Sequence, residues 1–221
     1  MRLVKNRYGK GRVRIMRVHR AGEGAPYTGL KPAGQIGHAV AVADKSKLQT
    51  AVFAGGCFWC TEAVFQLIRG VSSVIPGYAG GQLENPKYED LHERDTGHAE
   101  CIQITYDPSV ISYETLLQVF YYVHDPTTMN QQGNDVGSQY RSVIFYHDET
   151  QKETAEHVTN SYATQLWDKP IVTEIVPLER FWPAEDYHQN YYRNNRNQGY
   201  CQVIINPKLS KFRSKFESLL A

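Results

Sequence analysis

The change of texture at Gly55-Gly56 constrains this chain more than any other feature. A short apolar run, Ala51-Val52-Phe53-Ala54, stops at the two glycines. From residue 57 the apolar residues take a helical spacing, with Val64, Phe65, Leu67 and Ile68 on one stripe and Gly70 as its end. A strand that turns directly into a helix opens a β-α unit, and the alternation continues. Residues 71–75 read as a strand closed by Pro76-Gly77. A polar loop over 80–97 follows, then a strand over 98–106 with Ile102 and Ile104 on one face. Asp107-Pro108 turns the chain, Ser112 caps a helix to residue 123, and residues 139–146 form a further strand. A helix over 149–167, a strand over 171–176 and a basic helical stretch over 207–220 complete the reading. The order β-α-β-β-α-β matches the split β-α-β unit. The expected fold is therefore α+β, a ferredoxin-like α/β sandwich with a mixed sheet, additional helices and a long irregular C-terminal tail.

Charge divides the chain in two. Residues 1–47 carry eleven Lys and Arg against Glu23 and Asp44, a formal charge of +9; the other 174 residues hold thirteen against twenty-one, or −8. We expect a mobile basic extension over 1–47 and a single catalytic domain over 48–221. The extension has no apolar core of a secretory signal, and Ser46 is its one serine, where a transit peptide is Ser-rich. Targeting to an organelle or contact with a polyanion stays open for it, while the acidic body gives no reason to expect nucleic acid. No apolar run approaches the roughly 18 residues of a membrane span. Without an extended heptad, a monomer is expected. Four cysteines make no disulfide scaffold, so they suggest free thiols in a reducing compartment, the cytoplasm.

Cys57 stands where a strand, a glycine turn and a helix start meet. Unpaired N–H groups and the helix dipole favour an anion there, which would lower the thiol below its usual value of about 8.5. Phe58 and Trp59 beside it are large and apolar, suited to the walls of a pocket. A buried, inert cysteine is the plain alternative. Cys60 completes a CxxC, which admits two more: a dithiol oxidoreductase working on protein disulfides, and half of a zinc site. The second needs another close pair of ligands, but Cys101 and Cys201 stand alone. No metal or organic cofactor is expected.

Several runs, taken in order, carry a resemblance. They are Gly56-Cys57-Phe58-Trp59, Gly77-Tyr78-Ala79-Gly80-Gly81, Asn85-Pro86-Lys87-Tyr88, Thr96-Gly97-His98-Ala99-Glu100, Gln132-Gly133-Asn134-Asp135, Ser138-Gln139-Tyr140-Arg141 and Pro183-Ala184-Glu185-Asp186-Tyr187-His188-Gln189. Together they resemble the type A peptide methionine sulfoxide reductases over roughly residues 49 to 216. The likeness implies thiol-dependent reduction of methionine-S-sulfoxide, free and in oxidised proteins, with thioredoxin as reductant and protein repair under oxidative stress as the role.

What each residue does follows from that resemblance. It implies Cys57 as the nucleophile on sulfur and Glu100 as the acid that protonates the departing oxygen. Tyr88 and Tyr140 would donate to the same oxygen, and Asp135 would help hold thiolate and substrate. Phe58 and Trp59 would receive the methyl group. Read without the likeness, Glu100 could be an edge-strand charge and Asp135 an ordinary turn residue. For the thiol that resolves the Cys57 sulfenic acid, Cys201 is favoured on the polar segment around 194–198, with Cys60 the nearer alternative. His188 is expected only to brace the site, and Cys101 to be buried and inert.

Overall fold

The computed structural model describes residues 47–221. The expectation of a mobile extension falls, apart from Lys47, outside the described residues. In chain order, β1 (Gln49–Gly55) leads into α1 (Phe58–Phe65), followed by β2 (Val71–Ala79), α2 (Tyr88–Glu93), β3 (Ala99–Tyr106) and α3 (Tyr113–Val123). A short hairpin of β4 (Gln131–Gln132) and β5 (Asp135–Val136) precedes β6 (Ser142–Tyr146) and α4 (Glu149–Val158). Then come α5 (Thr164–Leu166), β7 (Glu174–Pro177), β8 (Phe181–Pro183), α6 (Tyr191–Asn194) and α7 (Asn206–Lys215).

The main sheet runs β7-β6-β1-β3-β2-β8. Its neighbours are antiparallel except for β6 and β7, so the sheet is mixed, as expected. Its centre, β6-β1-β3-β2, is what a split β-α-β unit must give. Each helical crossover skips one place in the sheet, and an antiparallel strand fills the gap. Phe53, Ile102, Ile104 and Ile144 point into the larger core, against Phe65 of α1, Leu116, Leu117 and Phe120 of α3, and Phe212 of α7. The opposite face carries a smaller cluster, Val52, Ala54, Cys101, Val143 and Phe145, with Phe181 and Leu178 packed on it.

Element limits differ from the sequence reading where local bonding overrides the pattern. The helix begun at Phe58 stops at Phe65, a turn early. Leu67 and Ile68 donate to carbonyls three residues back, at 3.0 and 3.2 Å, and Ile68 then bridges to Leu220. β2 runs through Pro76-Gly77 rather than ending there. The Pro76 carbonyl accepts from Ala184 N at 2.9 Å, on the β8 side, so the missing N–H faces that side too and the β2–β3 ladder loses nothing. The helix over 149–167 is broken by a π turn at Thr159–Ala163. Residues 138–140 form a 3-10 turn instead of the start of β6.

The tail is less irregular than expected, being a succession of short helical turns that ends in α7. A buried carboxylate ties it down. Glu62 on α1 accepts from Asn190 N at 2.6 Å and Tyr191 N at 3.1 Å, where Asn190 takes the left-handed conformation, φ 55°. Among the described residues no helix is long and apolar enough to cross a membrane.

Candidate active site

The chain reaches Cys57 through Gly56, whose φ of 81° suits glycine and where a Cβ would overlap the Gln132 side chain. Gln132 in turn holds Asp125 N and O at 3.0 Å each, which ties the hairpin to the end of α3 while its side chain lies against Gly56. Cys57 is the residue before the first helical turn, and its side chain is buried. Phe58 lies against His188 and Tyr78, with ring centres 5.0 and 5.8 Å away. Trp59 stacks on Tyr191 at 3.7 Å and donates from Nε1 to His188 Nδ1 at 3.1 Å.

Glu100 comes from β3, which is interior to the sheet; the edge-strand reading of its charge is therefore wrong. It is 2% exposed, and Phe58 N donates to its Oε2 at 3.1 Å. Tyr88 opens α2, its backbone N–H held by Glu185 Oε1 at 3.1 Å. Tyr140 sits on the turn before β6 with its hydroxyl 3.2 Å from His92 Nε2. Asp135 on β5 accepts from the Tyr200 hydroxyl at 3.3 Å. Cys57, Phe58, Trp59, Tyr88, Glu100, Asp135 and Tyr140 all line one cavity of about 110 Å³, together with Tyr200. A larger cleft of about 440 Å³ lies at the far end of β1, among Gln49, Tyr106, Tyr113, His147 and Gln151. No cysteine lines it, so size does not mark the site that holds the thiol.

The sequence model of the family described as peptide methionine sulfoxide reductase matches residues 49–220. The chain belongs to the peptide methionine sulfoxide reductase family. A family of unknown function also matches residues 13–52. The peptide methionine sulfoxide reductase MsrA of Sulfolobus acidocaldarius is 54% identical over 169 residues, which is 76% of this chain and 96% of that protein. The corresponding protein of Chromobacterium violaceum is 53% identical over 174 residues, 78% of this chain and 99% of its own length. Among solved structures, reduced Mxr1 from Saccharomyces cerevisiae superposes with a TM-score of 0.66 at 33% identity, covering 72% of this chain and 91% of that one. Methionine sulfoxide reductase A of Corynebacterium diphtheriae gives 0.64 at 32% identity, over 72% and 80%. Membership of the reductase family makes this chain an oxidoreductase, and thiol-dependent methionine sulfoxide reduction is its reaction.

The electrostatics of this reductase site differ from the sequence expectation in one respect. Cys57 is not lowered by the helix start but pushed well up, by burial first and then by the Cys60 thiol and the Glu100 charge. The Phe58 N–H, the first free donor of α1, is given to the Glu100 carboxyl instead of the sulfur. Cys60 moves the other way, drawn down to about 6 chiefly by its interaction with Cys57 and then by Lys208 and the Tyr200 hydroxyl, against its own burial. The two thiols titrate as a coupled pair, with Cys57 pushed up and Cys60 drawn down. Burial raises Glu100 to about 8, with the Phe58 N–H opposing it. Burial likewise raises Tyr88, to about 12, and Tyr140, with the Glu100 charge next in both.

Three side chains of the site escaped sequence reasoning. Tyr200 is one of 15 tyrosines, and only its place beside Cys201 could have marked it. Glu185 accepts from the Tyr78 hydroxyl at 2.9 Å as well as from Tyr88 N. Glu62 supports the site from behind the cavity, and its sequence signal is a carboxyl inside an otherwise apolar helix. Cys201 is wholly buried in the π turn Cys201–Ile205, and Cys101 is wholly buried in the smaller core cluster.

Proposed function

We propose that this chain reduces methionine-S-sulfoxide, free and in oxidised proteins, with Cys57 as nucleophile and Glu100 as acid. The observation that carries the reading is the shared 110 Å³ cavity, in which a cysteine and a buried carboxyl meet between two apolar rings. Phe58 and Trp59 take the methyl group, and the Tyr88 and Tyr140 hydroxyls face the oxygen, where charge develops. Cys57 attacks the sulfoxide sulfur while Glu100 supplies a proton to the oxygen. That oxygen ends on Cys57 as a sulfenic acid, and methionine leaves reduced by two electrons. Asp135 acts with Tyr200 to hold thiolate and substrate in place. A second thiol then condenses with the sulfenic acid, releasing water and forming a disulfide. An external dithiol returns the enzyme to its reduced state, and thioredoxin is the reductant the family resemblance implies.

The experiment follows each sulfoxide epimer of N-blocked methionine with dithiothreitol present. Wild type is expected to consume the S epimer alone, Cys57→Ser neither, and Glu100→Gln the S epimer slowly. Consumption of neither epimer by wild type would refute the reading and leave disulfide exchange through Cys57 and Cys60 to be assayed.

For the resolving step, proximity supports Cys60 over the Cys201 favoured by sequence alone. Cys60 lies one helical turn from Cys57, its N–H bonded to the Cys57 carbonyl at 3.1 Å, and perturbs its thiol, whereas Cys201 is held in the π turn of the tail. Cys60→Ser is expected to stop turnover with thioredoxin while sparing one equivalent of methionine, and Cys201→Ser to keep most of the turnover. The opposite pattern assigns Cys201. A monomer in the reducing cytoplasm is the setting that the sequence supports, with residues 48–221 as the catalytic domain.

A further inference from the structure

A second cleft of about 470 Å³ adjoins the catalytic cavity and shares Asp135 and Tyr200 with it. Gly133 and Asn134 of the hairpin line one side, Val203 and Ile204 of the π turn another, and Lys208 of α7 completes it. A Cβ on Gly133 would meet nothing within 4 Å, so the hairpin leaves this side open. Val203 is 70% exposed, although its neighbours Cys201 and Ile205 are wholly buried. The segment thus keeps one branched apolar side chain in water at the rim of a reactive site. Lys208 forms no salt bridge to a carboxylate among the described residues, and the one site group its charge acts on is the neighbouring Cys60 thiol.

The catalytic cavity has room for the end of one side chain and no more. A methionine sulfoxide within a polypeptide carries chain on both sides, and that chain must leave over the rim. Asp135 and Tyr200 are the part of the rim that opens into the second cleft. We propose that this cleft is a subsite for the polypeptide beside the oxidised methionine, seating an apolar side chain on Val203 and Ile204 and a carboxylate at Lys208. It rests on the reading that the sulfoxide is reduced in the adjoining cavity. The enzyme thereby selects oxidised methionines that have an apolar and an acidic neighbour within reach.

The test compares kcat/KM on acetyl-methionine-S-sulfoxide amide with that on pentapeptides carrying the sulfoxide between glycines, between leucine and glutamate, and between leucine and lysine, each in both chain directions. Half-burying a leucine is worth about tenfold, so the leucine–glutamate peptide is expected to exceed the glycine peptide by about that factor. An exposed charge pair adds less, and the glutamate peptide is expected to exceed the lysine peptide by about threefold. Val203→Ser should erase the leucine preference while leaving the acetylated amide unchanged. Lys208→Glu should invert the glutamate-to-lysine ratio, a quantity internal to each enzyme. Flanks without effect, or preferences that survive both substitutions, overturn the subsite. So does a result in which the substitutions spare peptides and slow only reduction by thioredoxin, since the cleft would then dock the reductant. Failure of wild type to reduce the acetylated amide sinks the underlying reaction instead, before any flank is compared.

Discussion

Glu100 can deliver a proton only while it holds one, and burial is what keeps it there. Its folded value of about 8 stands above the ordinary 4.5 because water is excluded, and the Phe58 N–H reverses only part of that shift. Two consequences share one sign. As an acid, Glu100 is competent below pH 8 and loses its proton above it, so the rate of methionine formation in a single turnover is expected to fall through pH 8. Glu100→Gln should be slower by about 10²- to 10⁴-fold and lack that fall. For stability, a carboxyl raised on folding contributes fully below its unfolded value and loses that contribution as pH rises through 8. Urea unfolding at pH 6 and pH 9 should show wild type weakening relative to Glu100→Gln. Equal pH dependence in the two proteins would contradict a raised carboxyl. At this scale the nucleophile was legible, because a glycine turn into a helix is a local pattern. Its proton affinity was not, since that depends on a carboxyl 43 residues away in sequence taking the helix's free N–H.

Elements are joined at this site by single side chains that bridge distant segments, and Glu62 is the clearest. It belongs to α1, the helix that Cys57 opens, and it accepts the N–H groups at which the tail turns into α6. Burial raises it to about 7, against those two donors and Arg193. Glu62→Ala leaves both N–H groups without their acceptor, at a cost of roughly 1–3 kcal/mol each where water cannot replace it. Glu62→Gln keeps one acceptor and should cost less. The tail carries Tyr191 under Trp59 and Tyr200 into the cavity, so its loosening should also slow the reaction. Chemical unfolding together with the rate on acetyl-methionine sulfoxide checks both effects. Unchanged stability in Glu62→Ala would show that the tail is held elsewhere. Sequence periodicity gave β3 and α3 nearly to the residue because each has its own apolar face, whereas it ended β2 four residues early and began β6 three residues early. It failed for β8, three residues long, and for the tail, whose turns are held by partners on α1 and β2 and by no repeat of their own.

The whole chain combines a basic stretch with a body that matches complete relatives. The Sulfolobus and Chromobacterium proteins are covered over 96% and 99% of their lengths by 76% and 78% of this chain. Nearly the whole length of those proteins thus has its counterpart in this chain, and the family match lies over residues 49–220. All the residues that line the catalytic cavity lie between Cys57 and Tyr200, and both core clusters begin at Ala51 or later. Deleting residues 1–46 is therefore expected to leave kcat/KM on acetyl-methionine-S-sulfoxide within about twofold, a change under about 0.4 kcal/mol. The unfolding midpoint should stay put as well. The deletion removes most of a +9 charge, so any contribution of the stretch belongs to the approach of charged partners, and rates with an acidic protein substrate should respond to salt only when the stretch is present. Comparing full-length and shortened enzyme on the small substrate and on an oxidised acidic protein, at about 0.01 and 0.15 M salt, separates the two roles. Loss of the small-substrate rate on deletion would instead place the stretch within the catalytic machinery.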